Sequence, residues 1–182
     1  MTLESLALQG RIQTYHSLAA SVTSRLVDLR KERIRESMMD LQPVEHRMET
    51  VANIHGTEFI NDSRSCTINS VWYALESIRR PVIWITGGVD RDQDYSMVKD
   101  LVQQKVKAIL CLGDKNLWIH DAFDITDIPI IRAGYMKEAV DIAFSIAKSG
   151  DAVLLSPGCA SFDMFENYEE RGNAFKKAVK TL

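Results

Sequence analysis

The chain lacks the residue patterns of a disulfide-stabilised or metal-binding protein. Its 182 residues include only three cysteines, an odd and widely spaced set at positions 66, 111 and 159 without a Cys-x-x-Cys pair. The four histidines, at positions 16, 46, 55 and 120, show no metal-ligand spacing. We therefore expect neither a disulfide framework nor a protein-bound metal, and reduced thiols in the cytoplasm fit the cysteine usage best.

Long apolar runs and blocks of like charge are missing as well. No stretch reaches the ~20 apolar residues that a membrane span needs, and the start Met1-Thr2-Leu3-Glu4 lacks the basic-then-apolar layout of a signal peptide. The 22 basic and 25 acidic residues are interspersed, so a nucleic acid is not an expected partner. These features predict a soluble, cytoplasmic protein that binds no membrane.

Two phosphate-binding motifs are also absent. No Gly-x-x-x-x-Gly-Lys-Ser/Thr loop, which would cradle the phosphates of ATP, occurs in the sequence. No Gly-x-Gly-x-x-Gly follows the first predicted strand. An independent dinucleotide-binding domain is therefore the weakest of the functional hypotheses.

The hydrophobic periodicity predicts an α/β fold with an N-terminal helical appendage. Two helices are expected between about Gln13 and Asp40, and strands and helices alternate from Arg47 onward. Continuous Val/Ile/Leu runs are typical of strands covered on both faces, and His55-Gly56 suits a hairpin turn. We predict a Rossmann-like, doubly wound, mainly parallel six-stranded sheet with one antiparallel strand. Its strands are expected near residues 49–54, 58–61, 82–86, 108–112, 128–131 and 152–155, with helices near 69–77, 96–104, 117–123 and 137–148.

The segment from Leu154 to Gly172 combines an apolar strand, a turn of small residues and an amphipathic pattern. After Ser161, aromatic residues recur at helical spacing at positions 162, 165, 168 and 175. This pattern predicts a helix capped by Ser161, whose N-terminus would favour a carboxylate or a phosphate. From the spacing alone, a simple cap without a ligand is the favoured interpretation.

Ligands of open α/β sheets lie beyond the carboxyl ends of the strands, so the candidate loops follow residues 61, 86, 112 and 155. The first loop carries Asp62 and Arg64 beside several hydroxyls, although an Asx-type turn with Arg64 in solvent is an alternative. Gly87-Gly88 would let the backbone approach a ligand, but it also serves as a simple turn. Gly113-Asp114-Lys115 receives no role.

Three strings carry a resemblance to a known family: Glu45-His46-Arg47, Phe59-Ile60-Asn61-Asp62-Ser63-Arg64 and Ser156-Pro157-Gly158-Cys159-Ala160-Ser161. Nearly the whole chain resembles the C-terminal portion of the D-glutamate-adding Mur ligases. The resemblance implies that residues 1–45 are the tail of a central ATPase domain and that residues 46–182 are the Mur ligase C-terminal domain. The chain would then be a truncated relative with altered site residues.

The resemblance also implies roles for individual residues. Arg47 would approach the nucleotide phosphates and Asp62 would hold the ribose, while Gln13 and His16 stand near the family's adenine-contacting asparagines. Arginine replaces lysine at positions 64 and 91, and cysteine replaces threonine at position 66, so the charge is kept but the geometry changes. The D-glutamate pocket would consist of Arg64, Cys66, Arg91, Ser161, Phe162 and Tyr168.

Members of the resembled family phosphorylate a carboxylate with ATP and let the amine of D-glutamate attack the acyl phosphate. The resemblance therefore implies ATP, ADP and Mg²⁺, with D-glutamate added to UDP-N-acetylmuramoyl-L-alanine in peptidoglycan synthesis. This chain alone would hold no cofactor and would be inactive, because the P-loop and UDP-binding domains are absent. An alternative is a noncatalytic paralogue that acts as a binding or regulatory module. An apolar face on the N-terminal helices would also favour self-association.

Overall fold

The computed structural model describes residues 11–39, 44–88, 93–113, 117–123 and 127–182. The chain divides into two compact units, Met1–Val44 and Glu45–Leu182. Within the described residues, no helix is long and apolar enough to cross a membrane. The same residues contain no cluster of three or more His, Cys, Asp or Glu side chains that could hold a metal ion.

The first unit consists of two helices, as the periodicity predicts. Helix α1 spans Arg11–Leu26 and helix α2 spans Lys31–Met39, while Asp40 lies outside the described residues. Leu18, Val22 and Leu26 follow one another at four-residue intervals along α1, and all three are exposed within this chain. Helix α1 therefore presents an apolar stripe to its surroundings.

The second unit is built on the predicted six-stranded sheet. Its strand order is β1-β2-β6-β3-β4-β5, and only β1 runs antiparallel, against β2. His55 and Gly56 join these two strands with φ values of 50° and 84°, the left-handed conformations that a tight hairpin turn requires. The strands are Glu49–Ile54 (β1), Thr57–Asn61 (β2), Val82–Thr86 (β3), Val106–Leu112 (β4), Ile130–Ala133 (β5) and Ala152–Leu155 (β6).

Helices cover both faces of this sheet, which explains the continuous apolar runs of its central strands. Trp84 of β3 packs in the apolar layer under α3, α4 and α5, whereas its neighbours Ile83 and Ile85 pack under α6 and α7. Successive strand residues thus bury opposite faces, and both faces need apolar side chains. The helices are Ile68–Ser77 (α3), Ser96–Lys105 (α4), Leu117–Phe123 (α5), Met136–Ile146 (α6) and Tyr168–Val179 (α7).

A lysine from α4 closes the end of α3. The Lys105 ammonium donates to the carbonyl oxygens of Leu75, Glu76 and Ile78 at 2.8, 2.9 and 2.8 Å. These carbonyls lie at the C-terminus of α3, where no further turn of helix donates amide hydrogen bonds to them and where a positive charge is favoured. The contact therefore joins α3 to α4 at the edge of the sheet opposite to the carboxyl ends of the parallel strands.

The chain crosses from one face of the sheet to the other around β6. After β2 and β3 it continues into α3 and α4 on one face, whereas after β6 it continues into α7 on the other. Because the neighbours of β6 send their loops the opposite way, crevices open beside its carboxyl end. This is where the fold places a ligand.

The predicted helix start at Ser161 is wrong. The carbonyl of Ser161 accepts from the amides of Met164 and Phe165 at 3.2 and 2.9 Å in an isolated turn, and α7 begins only at Tyr168. The residue that caps α7 is Asn167, whose side chain accepts from the Glu170 amide at 2.8 Å. The spacing gave a wrong helix start because Phe165, which follows Ser161 by four residues, lies in the turn and not in α7.

Candidate functional site

Asp62 lies at the end of β2, beside β6, and its carboxylate is held from two sides. It is 2% exposed. One carboxylate oxygen accepts from the Met48 amide at 3.1 Å, and the other accepts from the Ser156 hydroxyl at 2.9 Å. Since Ser156 follows β6 and Met48 precedes β1, Asp62 joins three segments at the carboxyl edge of the sheet.

The protonation of Asp62 reflects this burial. Loss of solvent raises its pKa from 3.8 to about 6, against the opposing effects of hydrogen bonds from Ser65, Ser156 and Met48 and of the Arg47 charge. A carboxyl group whose pKa is raised at the edge of a crevice is a candidate for function.

At the same edge Arg64 is exposed and Tyr168 is half-buried. The guanidinium carbon of Arg64 lies 5.6 Å from the centre of the Tyr168 ring, a cation–π arrangement. The Arg64 amide donates to the His46 carbonyl at 3.0 Å, so the backbone of this arginine is fixed while its side chain is exposed. The Tyr168 hydroxyl donates to Glu169 at 3.1 Å, a bond that raises the pKa of this tyrosine.

The loop after β6 meets the loop after β2 through backbone hydrogen bonds. The Gly158 amide donates to the Ser65 carbonyl at 2.9 Å. Gln93 bridges the same two loops, because its side chain donates to the Gly158 carbonyl at 2.6 Å and accepts from the Ile68 amide at 2.7 Å. Ser161 is buried in this region, whereas Phe162 is 69% exposed.

The predicted site residues fall into three groups. The segments at the ends of β2 and β6, all in the second unit, carry Arg47, Asp62, Arg64, Cys66, Ser161, Phe162 and Tyr168. His16 is an exposed residue of α1 in the first unit, and Gln13 lies on the same helix. Arg91 lies outside the described residues.

Sequence reasoning missed Arg171. This arginine of α7 is 1% exposed, and its guanidinium contacts both loops at the carboxyl edge. A signal for it exists in the sequence: Arg171 stands three residues after Tyr168 and four before Phe175, on the apolar stripe of the helix. A charged residue at such a position has to be buried with hydrogen-bond partners.

His46 and Asn61 were also missed as members of the site. Both are buried, and the His46 Nδ1 lies 2.9 Å from the Asn61 Nδ2. Asn61 also donates to Glu49 at 3.0 Å and accepts from the Ser63 amide at 3.2 Å. This network fixes the segment that carries Arg47 against the loop that carries Asp62.

A doubly wound domain with its polar residues gathered beside one switch-point strand belongs to the class of α/β domains that bind small ligands at the sheet edge. The family described as "Mur ligase, glutamate ligase domain" matches residues 46–159, and the chain belongs to this family. The resemblance drawn from the three sequence strings is therefore confirmed, and the chain corresponds to the C-terminal part of such a ligase.

Curated relatives match the chain over its whole length. It is 46% identical over 184 residues to the UDP-N-acetylmuramoylalanine--D-glutamate ligase of Bacteroides fragilis, covering 100% of this chain and 41% of the relative. It is 47% identical over 182 residues to the ligase of the same name from Christiangramia forsetii, with the same coverage of both chains. The chain thus spans about 41% of the length of these relatives.

Solved structures share the fold at low sequence identity. A pseudomurein peptide ligase type C from Methanothermus fervidus superposes with a TM-score of 0.70 at 15% identity, covering 97% of this chain and 37% of that one. A folylpolyglutamate synthase from Mycobacterium tuberculosis, solved with ADP and AMPPCP, gives a TM-score of 0.65 at 13% identity, covering 97% and 41%. These matches establish the α/β architecture.

Proposed function

We propose that the chain is the D-glutamate- and nucleotide-contacting C-terminal part of an ATP-dependent ligase that adds D-glutamate to UDP-N-acetylmuramoyl-L-alanine. The observation that carries this proposal is that the loop after β2, which carries Asp62 and Arg64, is joined by hydrogen bonds to the loop after β6, which carries Ser161. Full-length similarity to ligases named for D-glutamate supports it. In this proposal residues 1–45 belong to the central ATPase domain, and residues 46–182 are the amino-acid-binding domain.

The nucleotide half of the site is centred on Asp62. Asp62 accepts hydrogen bonds from Met48, Ser156 and Ser65. A carboxylate has about four acceptor positions, so one is left to accept from a ribose hydroxyl. Arg47 would contact the phosphates, and Gln13 and His16 would approach the adenine. The folylpolyglutamate synthase solved with ADP supports nucleotide binding by this architecture.

Mg²⁺ does not fit the described residues of this chain. They contain no group of three or more metal-binding side chains, so no step is assigned to the ion here. The proposal places Mg²⁺ with the remaining domains of the ligase, which would hold the phosphates of ATP together with Arg47 of this chain. The chain alone is therefore proposed to be inactive, and the cytoplasm is its proposed compartment.

The amino-acid half of the site is centred on Arg64. Its guanidinium is exposed over the Tyr168 ring and can form two parallel hydrogen bonds to a carboxylate of D-glutamate. Cys66 lies on the same loop as Arg64, and Ser161 lies on the loop after β6 that is hydrogen-bonded to it. Arg91 and Phe162 complete the proposed pocket, although the structure describes only the second of these.

Isothermal titration of the 182-residue chain with D-glutamate and with L-glutamate, each with and without ADP, tests the proposal. We expect saturable binding of the D-isomer, weakened at least about tenfold by Arg64→Gln, since a charge-assisted bond contributes ~1.5–3 kcal/mol. Arg80→Gln is the matched control, because Arg80 is exposed at the opposite edge and pairs with Glu58. Equal binding of both isomers, or no binding with ADP present, would contradict the proposal.

A noncatalytic paralogue is the second candidate. It is favoured by the arginines at positions 64 and 91 and the cysteine at position 66, which replace the lysines and the threonine of the resembled family. The discriminating experiment restores Arg64→Lys, Cys66→Thr and Arg91→Lys within a full-length ligase. A large gain in ligase rate would favour the paralogue. No gain would mean that the residues at positions 64, 66 and 91 do not impair ligase activity.

Self-association through α1 is a separate proposal. Leu18, Val22 and Leu26 are exposed on one stripe of this helix. Sedimentation velocity should show a concentration-dependent dimer that Val22→Lys abolishes. A monomer at all concentrations would reject the proposal.

A further inference from the structure

Arg171 is a buried cation that touches neither solvent nor, in the proposed function, the substrate. Among the residues that the structure describes, no carboxylate forms an ion pair with it. Burial lowers the pKa of its guanidinium, against the opposing effects of Cys66, Cys159 and Asp163. A buried charge without a counter-ion is costly, so its retention calls for a specific task.

The donors of Arg171 are divided between the two loops at the carboxyl edge. Nε donates to the Ser63 hydroxyl at 3.0 Å and Nη2 to the Ser63 carbonyl at 2.7 Å. Nη1 donates to the Cys159 carbonyl at 3.1 Å, and Nη2 also lies 3.6 Å from the Cys66 sulfur. One rigid planar group thus sets the separation of the loop after β2 from the loop after β6.

Ser63 transmits this geometry to the exposed residues. Its hydroxyl accepts from Arg171 and donates to the Tyr168 carbonyl at 2.7 Å, so both of its functions are used. Ser63 stands between Asp62 and Arg64, and Tyr168 carries the ring beneath the Arg64 guanidinium. A shift of Ser63 would therefore move the residues on both halves of the site.

The neighbouring glycine lets α7 approach closely enough for this contact. A Cβ at position 172 would overlap the imidazole of His46, lying 2.9 Å from its Cε1 and closer still to its Nδ1. Arg171 and Gly172 thus act together. The missing side chain of Gly172 leaves room for His46, and Arg171 donates to the loop after β2 and the loop after β6.

We propose that Arg171 is the positioning residue of the amino-acid pocket, holding the loops that carry Arg64, Cys66 and Ser161 in register so that they meet one ligand carboxylate. This inference rests on the proposed function. It assigns no contact between Arg171 and the substrate, because the guanidinium is closed off by its protein partners.

The hydrogen bonds from Arg171 to the loop after β2 and the loop after β6 form a clamp, which can be tested in the 182-residue chain without an activity assay. Arg171→Lys keeps the positive charge but removes the planar guanidinium that donates to both loops. In this variant, amide hydrogen exchange should accelerate at Arg64, Ser65 and Gly158, whose amides donate to the carbonyls of His46, Asp62 and Ser65, respectively, and so fix the two loops. The control Lys105→Met removes a partly buried cation, which also donates to three carbonyls, at the opposite edge. Unchanged exchange at the three amides, or the same acceleration in the control, would overturn the clamp.

The positioning role is tested in a chimera in which this chain replaces the matching 184 residues of the Bacteroides fragilis ligase. We expect Arg171→Lys and Arg171→Met to raise the KM for D-glutamate about tenfold or more, since small misplacements of binding groups have large effects. The control Lys105→Met should leave this KM unchanged. Ser63→Ala, a milder change of the same contact, should raise it in the same direction.

The outcomes separate the inference from the proposed function. An unaltered KM in the Arg171 and Ser63 variants, or an effect on kcat alone, would overturn the positioning role while leaving the ligase assignment intact. A folded wild-type chimera without D-glutamate-dependent activity would instead overturn the proposed function and, with it, the positioning role. The exchange measurement would then still decide whether the clamp exists.

Discussion

Asp62→Asn should make the folded chain more stable at neutral pH. Burial raises the pKa of Asp62 from 3.8 to about 6, so at pH 7 the folded state has to keep a poorly solvated carboxylate ionised. Each pKa unit corresponds to ~1.4 kcal/mol, so this ionisation lowers the free energy of unfolding by about 3 kcal/mol relative to acidic conditions.

The sign of this effect defines its pH window. The folded state binds the proton more tightly than the unfolded state, so the stabilisation is complete below about pH 4 and is lost as the pH rises through 6. Asparagine carries no such charge. Its carbonyl can still accept from Met48, and its amide can donate to the Ser156 hydroxyl, which is able to reverse its role. We expect a gain of roughly 1–3 kcal/mol at pH 7 and none at pH 4, the lower figure reflecting the lost attraction to Arg47.

Urea unfolding between pH 4 and pH 8 measures this difference. Tryptophan fluorescence follows the second unit alone, because all three tryptophans lie after residue 45. Asp100→Asn, at an exposed position of α4, is the matched control and should show no pH-dependent gain. Parallel pH profiles for wild type and Asp62→Asn would refute the reasoning. A gain in stability accompanied by weaker ADP binding would indicate that stability is sacrificed for function at this residue.

Three further substitutions test the ends and the packing of the helices. Lys105→Met should destabilise the chain by about 2–3 kcal/mol in urea unfolding, because three carbonyls lose a charged donor; a change below 0.5 kcal/mol would contradict the capping role. Asn167→Ala should cost about 1 kcal/mol through loss of the α7 cap, and equal midpoints of thermal unfolding would reject that cap. Gly172→Ala should cost about 2 kcal/mol or more through overlap with His46. Gly134→Ala has room for its methyl group and should be nearly neutral, so similar losses for both glycines would refute the close approach of α7.

The sheet could be predicted from the sequence because its strands are buried on both faces. Strand β3 is buried along its whole length, so Val82–Thr86 reads as an unbroken apolar run with one threonine at the end. The hairpin was predictable from His55-Gly56, since local conformational preference decides it. The rule that ligands lie beyond the carboxyl ends of strands indicated four loops, after residues 61, 86, 112 and 155, and hydrogen bonds join the first of these to the last.

The details of the site could not be predicted, because they depend on contacts between distant residues. The start of α7 is set by the Asn167 cap, which local spacing does not distinguish from the hydroxyl of Ser161. Arg171 lies on a helix stripe that reads as partly apolar, and only its contacts with Ser63 and Cys159, far away in sequence, explain its burial. The raised pKa of Asp62 likewise arises from tertiary burial.

The central claim, that this chain supplies the D-glutamate pocket of a ligase, is tested most directly by D-glutamate-dependent ADP release. The chimera with the Bacteroides fragilis ligase provides the missing domains, and the parent ligase serves as the positive control. We expect ADP release with UDP-N-acetylmuramoyl-L-alanine that saturates with D-glutamate and not with L-glutamate. A folded chimera that releases no ADP in response to D-glutamate, beside an active parent, would contradict the claim.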